Sequence, residues 1–222
     1  MSFFEAINFY SLNYHGEAYL IQGLREFRKL HLGDAVQDYL AHFIEEEEAH
    51  QGYFSEFCQR YAQGVYPSRI PSFFKPDLSD YVKQFVFLAK ALMFESVSDY
   101  FNVENTKDDR VAKVAREINQ LHHRDETRHM AFGRKILSDF YDHYISELSE
   151  ATQAEITNQL MGYFEAIWRD YQNPRIYIHA GFSKPFLAES LARESQWSRN
   201  NKILAETASR EFFEKLGLKI GV

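Results

Sequence analysis

The chain has 222 residues, 45% of them hydrophobic, which suits a core the size of one substantial domain. A formal charge of −7 leaves no basic stripe to neutralise phosphates, so nucleic acid is excluded as an expected partner. Cys58 is the single cysteine, which excludes a disulfide framework within the chain and leads us to expect a reducing, cytoplasmic setting.

The opening MSFFEAINFY has neither a basic leader nor a continuous apolar run, and no later segment approaches a long uncharged apolar stretch. Neither export nor a membrane span is expected. Aromatic side chains are abundant, with 20 Phe and 14 Tyr, more than an ordinary core requires, and point to ring-lined walls.

The 5 prolines and 10 glycines gather at a few places and leave long stretches with helical apolar spacing. The first predicted helix runs from about Glu5 to Lys29. It stops near Leu32 and Gly33, with Gly33 in a left-handed cap and Asp34 capping the next helix. The second runs from Ala35 to about Gln63 and is followed by the proline-bearing stretch GVYPSRIPSFFKPD. Asp77, with Asp80 three residues on, is expected to cap a third helix ending near Val103. A fourth starts at Asn105 or Thr106 and continues to about Tyr144. A helix from Glu150 to about Tyr171, a break at NPRIYIHAGFSKP and a closing helix from Phe186 to Leu216 complete the chain. No linker is apparent, so one domain over 1–222 is expected, with a bundle core at about 5–144 and accessory helices at about 150–218.

Four long early helices joined by one short and one longer connection predict an all-α four-helix bundle with a crossover. An internal repeat strengthens this reading. Glu17 precedes Glu47-Glu48-Ala49-His50, and Glu95 precedes Glu126-Thr127-Arg128-His129 at nearly the same interval. On a helix, positions i and i+3 share a face, so Glu47 with His50 and Glu126 with His129 can each present an oxygen and a nitrogen to one inward point. Glu17 and Glu95, on the remaining helices, would supply carboxylates from the opposite side and bridge two ions. This is the carboxylate pattern of di-iron and di-manganese bundles. Glu95 stands out as the only acid between Asp80 and Asp99 in an apolar helix, where an isolated buried carboxylate costs several kcal/mol unless paired or metal-bound. His122 lies on the same stripe as Glu126 and His129 and is a further candidate ligand. Metal-bound histidines usually pass their second ring N–H to a carboxylate, so Asp125 is expected to support His50 and Glu46 to support His129. Oxygen-rich ligands with few imidazoles suit two iron ions, with manganese or a mixed pair as the alternative.

The set Glu17, Glu47-x-x-His50, Glu95 and His122-x-x-x-Glu126-x-x-His129 resembles the di-iron N-oxygenases typified by p-aminobenzoate N-oxygenase. The resemblance covers about residues 10–140, and its distinctive element is the extra histidine at His122. It implies a ferritin-like fold, activation of O2 after reduction, and oxidation of a small organic substrate, with an amine as candidate. It also implies an electron donor such as a ferredoxin or a reductase, and a homodimer is a candidate assembly. Without His122 the ligand order is shared by acyl carrier protein desaturases, ribonucleotide reductase small subunits, bacterial multicomponent hydroxylases and aldehyde-deformylating oxygenases. A ferritin-type iron store and a metal-binding bundle without turnover are the non-oxygenase alternatives. Phe43, Met93, Phe94 and Phe132 are candidate pocket walls, and Tyr19, Tyr53 and Tyr100 are tyrosines that could lie near the metals.

Overall fold

The computed structural model describes residues 3–62, 64–69 and 79–220. Among these residues eight α-helices follow one another: α1 (Phe3–Phe27), α2 (Asp34–Ala62), α3 (Asp80–Lys107), α4 (Lys113–Phe140), α5 (Glu150–Tyr171), α6 (Arg175–His179), α7 (Pro185–Arg193) and α8 (Gln196–Lys215). No strand occurs among the described residues. The fold is an all-α, ferritin-like bundle with additional C-terminal helices. No helix of the described residues is long and apolar enough to cross a membrane.

α1 pairs with α2 and α3 with α4, and the two hairpins meet through contacts of α1 with α3 and of α2 with α4. Two glycines set how closely α1 and α3 approach. A Cβ placed on Gly16 would lie 2.2 Å from Phe94 Cε1, and one on Gly23 would lie 1.9 Å from Phe87 Cε2. Glycine at these positions gives the two rings the space that a side chain would occupy. The tight turn after α1 uses the left-handed region twice, at His31 (φ 50°) and Gly33 (φ 108°). The Gly33 carbonyl accepts from Gln37 N at 3.0 Å, so α2 is already under way at Asp34, which is its first residue rather than its cap.

The boundary between α3 and α4 differs from the sequence expectation. α3 continues past Val103 to Lys107, with Asn105 and Thr106 inside it, and α4 begins only at Lys113. The break is made by Asp108, whose Oδ1 accepts from Arg110 N at 2.9 Å in a local turn. At the start of α3 the observed cap is Ser79, which accepts from Val82 N. The cap proposed at Asp77 lies outside the described residues.

The C-terminal region also differs. The expected break after Tyr171 contains the short helix α6, and the closing segment is two helices, because Ser195 caps α8 by accepting from Ser198 N at 3.1 Å. α8 lies against α3, and α5 lies against α3 and α1. Trp168 Nε1 on α5 donates to the buried Glu206 on α8 at 2.6 Å, and Arg210 Nη1 donates to the Ile220 carbonyl at 2.7 Å. These bonds tie α8 to α5 and the C-terminal segment to α8.

Candidate metal centre

Glu17 on α1, Glu47 and His50 on α2, Glu95 on α3, and His122, Glu126 and His129 on α4 all point into the middle of the bundle. Each is 3% exposed or less. They form three overlapping groups: Glu17 with His50, His122 and Glu126; Glu47 with Glu126 and His129; and Glu17 with Glu47 and Glu95. Within each group one candidate ligand atom per residue lies within 4.8 Å of the others, and every member is buried.

Glu17, Glu47 and Glu126 are each shared by two of the groups. Glu47 lies 3.1 Å from His50 Nδ1 and 2.7 Å from His129 Nδ1, and Glu126 lies 3.5 Å from the same two nitrogens. His122 Nε2 lies 2.8 Å from Glu126 and 3.2 Å from Glu17. His50 and His122 therefore belong to one end of the cluster, their rings edge to face at 4.7 Å, and His129 to the other.

Outside the cluster, His50 Nε2 meets Asp125 Oδ2 at 3.3 Å and His129 Nε2 meets Glu46 Oε2 at 2.9 Å. Arg128 donates to both Glu46 and Asp125, which ties the two outer carboxylates to one guanidinium. His123 turns away to Asp99 at 2.6 Å. Asn102 is a buried residue that the sequence reading did not single out. Its side-chain Nδ2 lies 2.7 Å from His122 Nδ1, the ring nitrogen facing away from the carboxylates. The available signal was its place on the Glu95 stripe, two turns on.

The cluster's electrostatics are those of a cation site. Burial, reinforced by Glu47, drives the Glu17 carboxyl well above its ordinary pKa, and burial with Glu126 and Glu17 does the same to Glu95. Burial also opposes charge on Glu126, but His122, with Glu95 and His129 beside it, holds its carboxyl well below the usual range. His122 is pushed up to about 10 and His129 to about 11: burial acts against their charge, and the glutamates around them outweigh it. Burial and the neighbouring His122 lower His50. Protons thus gather where positive charge is required.

The hydrogen bonding is incomplete in the way a metal site requires. Both carboxylate oxygens of Glu17, Glu95 and Glu126, one of Glu47, His122 Nε2 and His129 Nδ1 are buried without a hydrogen bond. Orphaned buried groups of this kind are costly, and bound cations would satisfy all of them together. Four carboxylates also match the charge of two divalent ions. Oxygen donors with imidazole nitrogens suit iron or manganese.

Of the aromatic wall candidates, Phe43 and Phe132 line a small cavity beside Glu95 and His129. Phe43 also stacks on the His129 ring at 3.9 Å. Phe94 packs over Gly16, and Met93 is buried in the core. Tyr53 is 43% exposed with its ring 6.4 Å from His50, Tyr100 donates to Asn201, and Tyr19 packs against Phe87. A larger cavity of about 610 Å³ lies between Asn8 and Asn105 at one end of the bundle. At ~1.5 Å rise per residue, that is roughly 13–15 Å along the helices from Glu17 and Glu95, away from the cluster.

A ferritin-like bundle with a buried carboxylate and histidine cluster defines the class: an all-α protein built around a site that could hold metal. Residues 1–217 match the family described as p-aminobenzoate N-oxygenase AurF, and the chain belongs to that family. The match extends beyond the bundle core through α5–α8, further than the resemblance read from residues 10–140. Neither the curated proteins nor the solved structures contained a match.

Proposed function

We propose that this chain is an O2-activating oxygenase that binds two metal ions, iron in the first instance and manganese in the second. Glu17, Glu47, His50, Glu95, His122, Glu126 and His129 are the proposed ligands, with Asp125 and Glu46 orienting His50 and His129. The substrate is a small organic molecule, with an amine nitrogen as first candidate in keeping with the family. Two iron ions held by these residues would, once reduced, provide the two electrons that O2 activation needs, and a ferredoxin or reductase is the expected donor.

The observation that carries this reading is the convergence of orphaned buried carboxylate and imidazole atoms from four helices. Glu47 and Glu126, each near both His50 and His129, would hold metal from between the two histidines, with Glu17 and Glu95 supplying the carboxylates of the other two helices. Asn102 sets the face that His122 presents to the cluster, because a partner at Nδ1 leaves Nε2 toward Glu126 and Glu17. Phe43, Phe54 and the leucines around them keep water from the carboxylates, which strengthens every electrostatic interaction inside.

Metal analysis of the purified protein, followed by optical spectra as the anaerobically reduced form meets O2, tests the proposal. Two irons per chain and an O2-dependent transient band, both lost in Glu126→Ala, are expected. Metal uptake unaffected by Glu126→Ala would overturn the ligand assignment. The same spectra with aromatic amines present decide whether an amine accelerates decay of the band and is oxidised.

A further inference from the structure

The cavity of about 610 Å³ at the bundle end is lined by none of the candidate metal ligands. Its wall comes from two parts of the chain. Asn8 on α1 and Phe101 and Asn105 on α3 belong to the bundle, while Gln172 after α5, Tyr177 on α6 and Trp197 on α8 belong to the C-terminal region. Phe101 and Tyr171 stack within this wall, their rings 4.3 Å apart. Two polar atoms of the lining residues lack partners. Asn105 Nδ2, a donor, and Gln172 Oε1, an acceptor, are buried without a hydrogen bond, and each residue is only 8% exposed. Gln172 Nε2 donates to Ser198 Oγ, which leaves the oxygen as the group still to be satisfied. An orphaned buried amide is costly, and the last torsion of an Asn or Gln side chain is broad enough for the amide to turn toward a guest.

We propose that this cavity is a second ligand site, for an uncharged aromatic molecule that carries an adjacent acceptor and donor, as an aryl carboxamide does. The volume lies within the range of about 300–1,000 Å³ that organic ligands occupy. Phe101, Tyr171, Tyr177 and Trp197 offer faces and edges to a ring. The carbonyl of the guest accepts from Asn105, and its N–H donates to Gln172. Charge is disfavoured on the guest. The two lining cations are already paired, Lys107 with Glu104 at 3.2 Å and Arg110 with Asp108 at 2.6 Å, and Glu5 adds a further acid to the lining. An anion therefore meets acids, and a guest with donors alone leaves Asn105 without an acceptor. At roughly 13–15 Å along the helices from Glu17 and Glu95, a guest is held here and not presented to the cluster. The site rests on this cavity alone and stands whether or not the cluster holds metal.

The experiment is ¹⁹F NMR of 4-fluorobenzamide titrated with the full-length protein, repeated with 4-fluorobenzoate and 4-fluorobenzamidine, the anionic and cationic analogues of the same shape. Saturable binding of the amide is expected, with both charged analogues at least about tenfold weaker because each leaves one buried group unpaired. Asn105→Leu removes the orphaned donor at similar size and should weaken the amide at least about tenfold. Ala192→Trp, on the short helix α7, adds bulk from the opposite wall and should abolish binding, which keeps the test open if Asn105→Leu does not fold. Glu126→Ala, at the metal cluster, should bind the amide as the wild type does. No saturable binding by the wild type, or binding that survives both cavity variants, would overturn the site. Amide binding lost in Glu126→Ala and kept in Asn105→Leu would place the probe at the cluster and overturn it equally. A charged analogue that binds as tightly as the amide would overturn the ligand class.

Discussion

The two hairpins α1–α2 and α3–α4 carry the same glutamate and Glu-x-x-His pattern, yet they differ at nearly every position that touches it. Leu24 corresponds to Asn102, Phe43 to His122 and Gly16 to Phe94, the ring that packs over it. The shared residues converge on the cluster, and the unshared ones give it two unlike ends. One end is polar, with His122 held by Asn102. The other is apolar, with Phe43 stacked on His129 and a cavity beside it. The duplicated glutamates and histidines are proposed ligands, and departures from the duplication give the two ends of the cluster different neighbours.

Substitutions that make the halves more alike test this view, and the largest effect is expected at His122. His122→Phe copies the first hairpin and removes an imidazole from the His50 end. Metal analysis should show loss of one ion of the pair, with His129 and its ion retained. Asn102→Leu copies Leu24 and leaves every ligand in place. It should weaken binding of the ion at that end by roughly 10–100-fold, the usual effect of losing a histidine's outer partner. Competition with a chelator would read this, and circular dichroism should show the fold unchanged.

Smaller effects concern packing and charge rather than ligation. Gly16→Ala places a Cβ against Phe94 and should cost about 1–3 kcal/mol of stability from overpacking. Denaturant titration should show part of this loss recovered by adding Phe94→Leu. Lys90, in the second hairpin, corresponds to the buried Leu12 and is itself only 2% exposed. Burial lowers its pKa from 10.5 to about 8. The folded state therefore disfavours the protonated amine, and this destabilisation is full below about pH 8 and disappears as pH rises through 10.5. Lys90→Leu should be more stable than the wild type near neutral pH, and the difference should shrink as the pH is raised over that interval. An unchanging difference would refute the assignment.

Much of this site was legible before any coordinates. Glu95 is conspicuous as a lone acid in an apolar helix, and the i, i+3 spacing alone places Glu47 with His50 and Glu126 with His129. Long helices free of proline are equally legible, because nothing local interrupts them. The break at Asp108 was hidden for the complementary reason. No proline or glycine marks it, and the turn depends on one Asp side chain accepting from Arg110 N. The division of the last helix at Ser195 is of the same kind, since a serine reads as a cap only once the chain is known to turn there. Asn102 was only partly legible for another reason: its place on the Glu95 stripe is visible, but an amide in a helix acquires meaning only from what faces it.

The amino-acid sequence by itself determined the helical class, the two matched hairpins and the residue types offered to a metal, because helical periodicity and the chemistry of carboxylates and imidazoles are local properties. Tertiary structure decided which carboxylates lie between the histidines, that Asn102 meets His122, and that Phe43 stacks on His129. Those features depend on how four helices approach across the bundle axis, where Gly16 and Gly23 set the distance between backbones far apart in the chain.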